Sequence, residues 1–320
     1  MAGISPLVLG QLGLGLLLLV IGGDGFVRGA VTIAKRAGLS PLLIGLTLVG
    51  FGTSTPELLT SVQAALAGSP GIAVGNVVGS NIANVLMVLG VPALIASMSP
   101  GHSSKRSYYQ MLFASLVLVA VCFFGPLHFW QAAVLLGLFG VMLADAFAQG
   151  RNGDDALPDE LDVSPGMPVW KMAALIVAGL IGLPVGAQLL IDGAVGVSRT
   201  LGVSEEVIGL TMVAIGTSLP ELATTFTAAL RRQTDVAIGN VIGSNLFNIL
   251  GILGVASLFG PIPIDPAFLT RDLWVMLACA LVLAPFVLGG WRIGKRWGVA
   301  FLALYAIYIF ALFAQGGVTA

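Results

Sequence analysis

The stretch from Gly50 to Ser61 reads GFGTSTPELLTS and carries an acidic residue and a proline inside a long apolar run. A closely similar stretch, AIGTSLPELATT, begins at Ala214. In apolar surroundings a carboxylate is costly unless it is paired with another group, and a proline interrupts a helix. Because both costs are incurred twice, these two stretches are expected to carry the function as well as to define the fold.

The composition around these stretches is that of an integral membrane protein. Of 320 residues, 57% are hydrophobic and only 9% are charged, whereas soluble domains carry about 25% charged residues. Spans of about 20 apolar residues recur almost end to end, and in a bilayer such spans are helices because each helix satisfies its own backbone hydrogen bonds. The sequence therefore predicts ten transmembrane helices, at 5–27, 40–66, 72–97, 108–125, 128–148, 170–192, 205–230, 236–260, 272–290 and 297–315.

The two stretches belong to a longer internal repeat. Shifting the sequence by 164 residues aligns 38–90 on 202–254 without a gap, with 28 of 53 positions identical. Each half would contain five helices, an odd number, so the second half would enter the membrane from the opposite side. Inverted repeats of this kind are typical of secondary transporters that bind their substrate near the bilayer midplane. The predicted fold is an all-α polytopic membrane protein of two inverted five-helix repeats.

The basic residues predict the orientation of these helices. If the N-terminus lies outside, 12 of the 14 Lys and Arg residues fall on the cytoplasmic side, and only Arg199 and Arg271 remain outside. This asymmetry follows the positive-inside rule and predicts a multi-pass protein of the cell membrane with both termini outside. The predicted organisation is a first repeat over 1–148, a polar cytoplasmic linker over 149–169 and a second repeat over 170–320.

The repeated G-T-S-x-P-E motif should gather oxygen atoms at one point of a helix. Pro56 cannot donate a backbone hydrogen bond to the carbonyl of Gly52, so the helix ladder loosens there. Thr53 and Ser54 precede Glu57 by four and three residues and therefore share a helix face with it. In the second half Pro220 has the same relation to Thr217, Ser218 and Glu221.

The next helix of each half adds the motif G-N-x-x-G-S-N-x-x-N. Ser80 and Asn84 share a face, as do Ser244 and Asn248, whereas Asn81 and Asn245 are expected to bond backbone groups. Carboxylate, hydroxyl, amide and carbonyl oxygens suit hard cations such as Ca²⁺ and Na⁺, and the motif has no His or Cys that would favour zinc or copper. A cation would neutralise two glutamates that are otherwise costly in a membrane.

These paired motifs resemble the two repeats of the sodium/calcium exchangers, within the cation/calcium exchanger superfamily, and most closely its short prokaryotic members. The resemblance implies that Glu57 and Glu221 bind Ca²⁺ together with the main-chain oxygens of Thr53 and Thr217. It implies that Asn84 and Asn248 line the centre. It also implies alternating access, in which the first and sixth helices slide across a static core. Sodium sites would be formed by Ser54, Ser80, Ser218 and Ser244, with backbone oxygens at Gly50 and Ala214.

One departure from the family bears on the cargo. Several members carry Asp at one of the positions of Asn84 and Asn248, whereas both are Asn here. Two fixed negative charges match one Ca²⁺ and argue against potassium co-transport. The expected function is therefore electrogenic Na⁺/Ca²⁺ antiport, not enzyme catalysis. The expected partners are the two ions and the lipid bilayer, with no cofactor, nucleic acid or obligate protein partner. The alternatives are a Ca²⁺/H⁺ antiporter, which would use carboxylate protonation in place of sodium, and a cation channel.

Overall fold

The computed structural model describes residues 5–101, 104–151, 166–201 and 216–316. These residues form helices and contain no β-strand; only two isolated antiparallel bridges, Met98 with Ile293 and Leu127 with Ile262, connect loops. The helices, numbered along the chain, are α1 Pro6–Ala37, α2 Leu42–Thr53, α3 Thr55–Leu66, α4 Gly71–Ala93, α5 Ser104–Phe123, α6 Phe129–Arg151, α7 Val169–Thr200, α8 Leu219–Leu230, α9 Thr234–Ala256, α10 Phe268–Val287 and α11 Lys295–Gly316.

Among the described residues, eight helices are long and apolar enough to cross a membrane. The bent pair formed by α2 and α3 would make a ninth span. Nine of the ten predicted spans thus have a counterpart. The remaining one, at 205–230, is represented by α8, and its first part falls in 202–215, outside the described residues. The chain is therefore an all-helical, multi-pass membrane protein.

Two predicted helix ends are wrong. The first span, placed at 5–27, continues to Ala37, and the sixth, placed at 170–192, continues to Thr200. Hydropathy marks where apolar side chains stop, whereas a helix ends at its cap. For α1 this is Gly38, which adopts a left-handed conformation with φ 64°. At 32 residues each, α1 and α7 measure about 48 Å, longer than the hydrocarbon core of about 30 Å.

The core is built around α4 and α9. In their most apolar windows 83% and 94% of the residues are buried, compared with 17% in α1. Helix α9 packs against α2, and α3 packs against α4. The two helices that carry the second motif therefore lie at the centre of the molecule.

Helices α1 and α7 form a separate pair along the outside of this core and pack against each other over much of their length. A side chain at Gly179 of α7 would place its Cβ only 2.5 Å from that of Phe26, so the small residue is required for the close approach. On the core side, Asp24 of α1 accepts a hydrogen bond of 2.7 Å from Nε of Arg231, just beyond α8. Asp24 also pairs with Arg28 at 3.0 Å.

Candidate cation-binding site

The proline motif breaks the helix at the same place in both halves. Between α2 and α3 the axis bends by 45° at Ser54, which has φ −86° and ψ 10°. Ser218, at the start of α8, has nearly the same backbone angles, φ −87° and ψ 4°. Each break is followed by a proline at the second helical position, where its missing N–H costs no helical bond. The repeated sequence thus produces a repeated backbone geometry.

Each break places a glutamate in the first turn of the helix that follows. Glu57 and Glu221 are the third residues of α3 and α8, and both are buried, at 1% and 0% exposure. The N-terminal end of a helix carries partial positive charge, which stabilises a carboxylate there. The hydroxyl of Ser54 donates a hydrogen bond of 2.7 Å to Oε1 of Glu221. A residue of the first half therefore contacts the carboxylate of the second.

The second motif supplies further oxygens from α4 and α9. Ser80 Oγ lies 3.5 Å from Thr217 Oγ1, again across the two halves. Ser244 Oγ donates a hydrogen bond of 3.2 Å to the carbonyl of Gly50. This contact requires close backbone approach, since a Cβ at Gly243 would lie 2.2 Å from the carbonyl oxygen of Leu46. Helices α2 and α9 thus meet at the predicted site.

The asparagines of the second motif coincide with a change in helix geometry. A π-helical turn starts at Asn84 and runs to Val88, and another, Phe247–Ile252, contains Asn248. Such turns are rare and occur frequently at functional sites, because widening the helix redirects side chains and frees backbone groups. Sequence reasoning did not predict these turns, since no residue type marks them.

The amides of these asparagines are only partly hydrogen-bonded. Asn84 Nδ2 donates to Asn245 Oδ1 at 3.1 Å, which leaves Asn84 Oδ1 without a donor among the described residues. The expectation that Asn245 bonds a backbone group is therefore wrong. The same expectation is confirmed for Asn81, whose Nδ2 donates to the carbonyl of Val77 at 2.6 Å. Asn248 is fully buried, and both polar atoms of its amide lack a partner within the described part of the chain.

Several other buried oxygens of the site also lack a hydrogen-bond partner. Within the described ranges, no hydrogen-bond partner is found for either carboxylate oxygen of Glu57, for Oε2 of Glu221 or for Oγ of Ser218. Leaving buried polar atoms unpaired costs free energy, most of all for a carboxylate. Buried oxygens that lack donors are suited to bind a cation.

The charge of the site comes from two glutamates alone. No group of three or more His, Cys, Asp or Glu side chains converges anywhere in the described ranges. Any cation bound here would thus be held by two carboxylates, with the remaining ligands being neutral hydroxyl, amide or carbonyl oxygens. Oxygen-only coordination of this kind suits Ca²⁺ and other hard cations.

Eleven of the twelve predicted site residues are described, and hydrogen-bond contacts bring together Ser54 with Glu221, Ser80 with Thr217 and Ser244 with Gly50, each across the two halves. Ala214 lies outside the described residues, so the second of the two predicted backbone oxygens has no structural counterpart here. Gly50 is described, and its carbonyl also accepts from Ser54 N at 3.1 Å. Thr53 and Thr217 lie immediately before the breaks, buried and half-buried respectively.

Two functional candidates were missed by sequence reasoning. Asn76 and Asn240 open the second motif in each half, and both are buried. Their side chains connect the helix that carries each glutamate to the threonine of the opposite half. Two signals were available, since both asparagines are identical in the two repeat copies and each precedes the serine by four residues, on the same helix face.

Comparisons with known proteins agree with this arrangement. The family model described as "Sodium/calcium exchanger protein" matches residues 7–147 and 171–314. The putative antiporter CaxA of Alkalimonas amylolytica is 39% identical over 309 residues, covering 94% of this chain and 97% of CaxA. The sodium/calcium exchanger MaX1 of Methanosarcina acetivorans is 36% identical, again covering 94% and 97%. The solved structure of the sodium-calcium exchanger NCX_Mj, soaked with Na⁺ and Ca²⁺, superposes with a TM-score of 0.83 at 36% identity, covering 96% of this chain and 99% of that one.

Proposed function

The chain belongs to the family of sodium/calcium exchanger proteins, which are membrane transporters, and on this premise we propose that it exchanges Na⁺ for Ca²⁺ by alternating access. The observation that carries the proposal is the buried oxygen cluster with a glutamate from each half, in which Ser54 of one half contacts Glu221 of the other. A closed site of this kind, with two carboxylates at its centre, needs a cation in each transported state. Both glutamates are buried in the described structure, at 1% and 0% exposure, which disfavours an open channel.

In this proposal Ca²⁺ is held by Glu57 and Glu221 with the main-chain oxygens of Thr53 and Thr217, and Asn84 and Asn248 line the centre. Sodium replaces it on the same glutamates with hydroxyl oxygens of Ser54, Ser80, Ser218 and Ser244 and backbone oxygens at Gly50 and Ala214. The unpaired state of the Glu57, Ser218 and Asn248 atoms supports this assignment. Two carboxylates balance one Ca²⁺, so a cycle with more than two Na⁺ per Ca²⁺ would be electrogenic.

We propose ten transmembrane helices in two inverted repeats, 1–148 and 170–320, joined by a cytoplasmic linker over 149–169. Contacts between loops support this topology. The bridge between Met98 and Ile293 joins two loops that the charge pattern assigns to the cytoplasm. The bridge between Leu127 and Ile262 joins two loops assigned to the outside. A miscounted helix would bring segments of opposite sides together.

The proposed location is the cell membrane, with both termini outside. The Asp24–Arg231 contact is consistent with this orientation, because the charge pattern places both residues near the cytoplasmic surface. The peripheral pair α1 and α7 would slide across the core formed by the other helices. Its position outside the buried helices α4 and α9 supports such a motion.

The proposal predicts sodium-driven calcium uptake. Proteoliposomes loaded with Na⁺ and diluted into Na⁺-free buffer should take up ⁴⁵Ca²⁺ rapidly at equal pH on both sides. Uptake should vanish when Na⁺ is equal on both sides. It should also respond to a potassium diffusion potential set with valinomycin, because net charge moves in an electrogenic cycle.

The alternative is a Ca²⁺/H⁺ antiporter, in which protons on Glu57 and Glu221 take the place of sodium. The same proteoliposomes distinguish the two. Uptake that follows an imposed pH gradient and ignores the Na⁺ gradient would contradict the proposal while keeping the glutamate site. Calcium flux without any counter-ion gradient, accompanied by single-channel conductance, would favour a channel.

A further inference from the structure

Two asparagines outside the proposed ligand set connect the halves of the site. Resting on the proposed function, we propose that Asn76 and Asn240 are positioning residues that tie each glutamate-bearing helix to the threonine of the opposite half. The two half-sites then adopt their calcium-binding geometry together. Neither residue is proposed to touch the transported ion.

The contacts of Asn76 use both ends of its amide. Its Nδ2 donates to the main-chain oxygen of Glu57 at 3.1 Å and to Ser61 Oγ at 3.0 Å, both on α3 of the same half. Its Oδ1 accepts from the hydroxyl of Thr217 at 3.4 Å, in the opposite half. With 6% exposure, the side chain has little access to water that could replace these bonds.

Asn240, the repeat counterpart of Asn76, makes the equivalent contacts. Its Nδ2 lies within hydrogen-bond distance of three acceptors on α8, which share its two hydrogens. These are the main-chain oxygen of Glu221 at 3.3 Å and the hydroxyls of Thr224 and Thr225 at 3.1 and 2.8 Å. Its Oδ1 accepts from Thr53 Oγ1 at 3.3 Å, and the residue is fully buried. The two halves have diverged at 25 of the 53 aligned positions, yet both preserve this connection.

The chemistry of the amide explains why asparagine is used. An amide offers two donors and an acceptor in one plane, whereas aspartate lacks the donors and leucine lacks both. The donors bond the main chain in the first turn of α3 or α8, and so fix the backbone position from which the glutamate side chain extends. The acceptor fixes the hydroxyl of the opposite threonine, and so positions the residue whose main-chain oxygen is a proposed calcium ligand. Fully satisfied buried networks of this kind restrict a site to one geometry.

A double-mutant cycle tests the connection. Thr217→Val removes the hydroxyl while keeping the side-chain volume and the proposed main-chain ligand, and Asn76→Ala removes the amide. Each single variant should raise the Ca²⁺ dissociation constant of the purified protein at least about threefold to tenfold, the scale of one buried hydrogen bond. Asn76→Ala also removes the bonds to Glu57 and Ser61. The effect of the double variant should nevertheless fall well short of the product of the two single effects, because the bond between Asn76 and Thr217 is lost in both. Asn240→Ala with Thr53→Val should behave in the same way.

The chain offers a matched control, in which the partners are exchanged. Asn76 makes no hydrogen bond to Thr53 in the described structure. The effects of Asn76→Ala and Thr53→Val on the Ca²⁺ dissociation constant should therefore multiply more nearly than those of the two bonded pairs. If the effects on the dissociation constant also multiply for Asn76 with Thr217 and for Asn240 with Thr53, the inference is overturned and the asparagines are ordinary packing residues. If an alanine variant does not elute as a monodisperse protein, Asn76→Leu and Asn240→Leu remove the amide while retaining more of the volume.

Binding is measured by equilibrium dialysis with ⁴⁵Ca²⁺, and wild-type exchange is measured in parallel in proteoliposomes. Together these measurements distinguish a failure of the proposed exchange function from a failure of the positioning role. Wild-type protein that binds Ca²⁺ without exchanging it for Na⁺ would contradict the proposed function, while the binding cycle would still report on the asparagines. Normal exchange with independent effects in the cycle would contradict only the positioning role.

Discussion

Glu57→Gln and Glu221→Gln should each reduce sodium-driven calcium uptake to the level of protein-free liposomes. Glutamine keeps the size of the side chain but removes one of the two charges in the site. Removing one partner of a buried ion pair typically costs about 3–5 kcal/mol, which corresponds to a loss of affinity of about 100-fold or more. Initial rates of ⁴⁵Ca²⁺ uptake measure the effect.

The matched control for these variants is Asp265→Asn. Asp265 is an exposed acid in the loop before α10, where its carboxylate accepts from the backbone N–H of Ala267 at 2.8 Å. It lies outside the buried site, so its neutralisation should leave uptake unchanged. Both glutamine variants should still elute as folded protein. The carboxylate oxygens of Glu57 make no hydrogen bond within the described chain, and a glutamine at position 221 keeps an oxygen that can accept from Ser54. Undiminished uptake by either glutamine variant would contradict the site assignment.

The second large effect is expected from adding one methyl group at Gly243. A Cβ there would lie 2.2 Å from the oxygen and 2.6 Å from Cα of Leu46, both backbone atoms of α2 that no side-chain rotation can move. Overpacking costs about 1–3 kcal/mol and occasionally more. For a chain of 320 residues the upper end corresponds to a fall in melting midpoint of about 4–5 °C. Gly243→Ala should therefore unfold at lower temperature in detergent, with little monodisperse protein.

Gly140→Ala provides the comparison for this variant. Gly140 also lies within a helix, α6, but a Cβ there has no neighbouring atom within 4 Å. Its melting midpoint should match or slightly exceed that of the wild type, since alanine favours a helix more than glycine does. Equal stability of Gly243→Ala and Gly140→Ala would show that α2 and α9 do not approach each other as closely as described. The hydrogen bond from Ser244 to Gly50, which depends on that approach, would then also be wrong.

The helical membrane fold could be predicted because its signals are strong and local. Apolar runs of spanning length predicted nine spans that have counterparts in the described structure, and the repeat located both helix breaks through Pro56 and Pro220. The ends of α1 and α7 could not be predicted in this way, because a helix continues past its last apolar residue until a cap stops it. The available sequence signals for these ends were Gly38 and its repeat counterpart Gly202.

The site could be predicted in part. Glu57, Ser54 and Ser80 were selected by spacing along one helix face, a rule that holds within a single helix. Spacing places Asn76 and Asn240 on the same face as Ser80 and Ser244, but it could not find their partners, which lie on other helices and in the opposite half. Neither could it show that Asn84 and Asn248 lie in π-helical turns or that Asn245 pairs with Asn84. These features depend on how the two halves pack.

In the proposed cycle one buried pair of glutamates serves both cations in turn. Calcium binding to the purified wild-type protein is therefore measured at fixed pH over a series of Na⁺ concentrations, with ionic strength held constant by a large organic cation. The Ca²⁺ dissociation constant should rise with Na⁺, with a slope of about two or more on logarithmic axes, since two carboxylates must be neutralised by monovalent ions. A calcium affinity that does not change with Na⁺ would contradict this cycle.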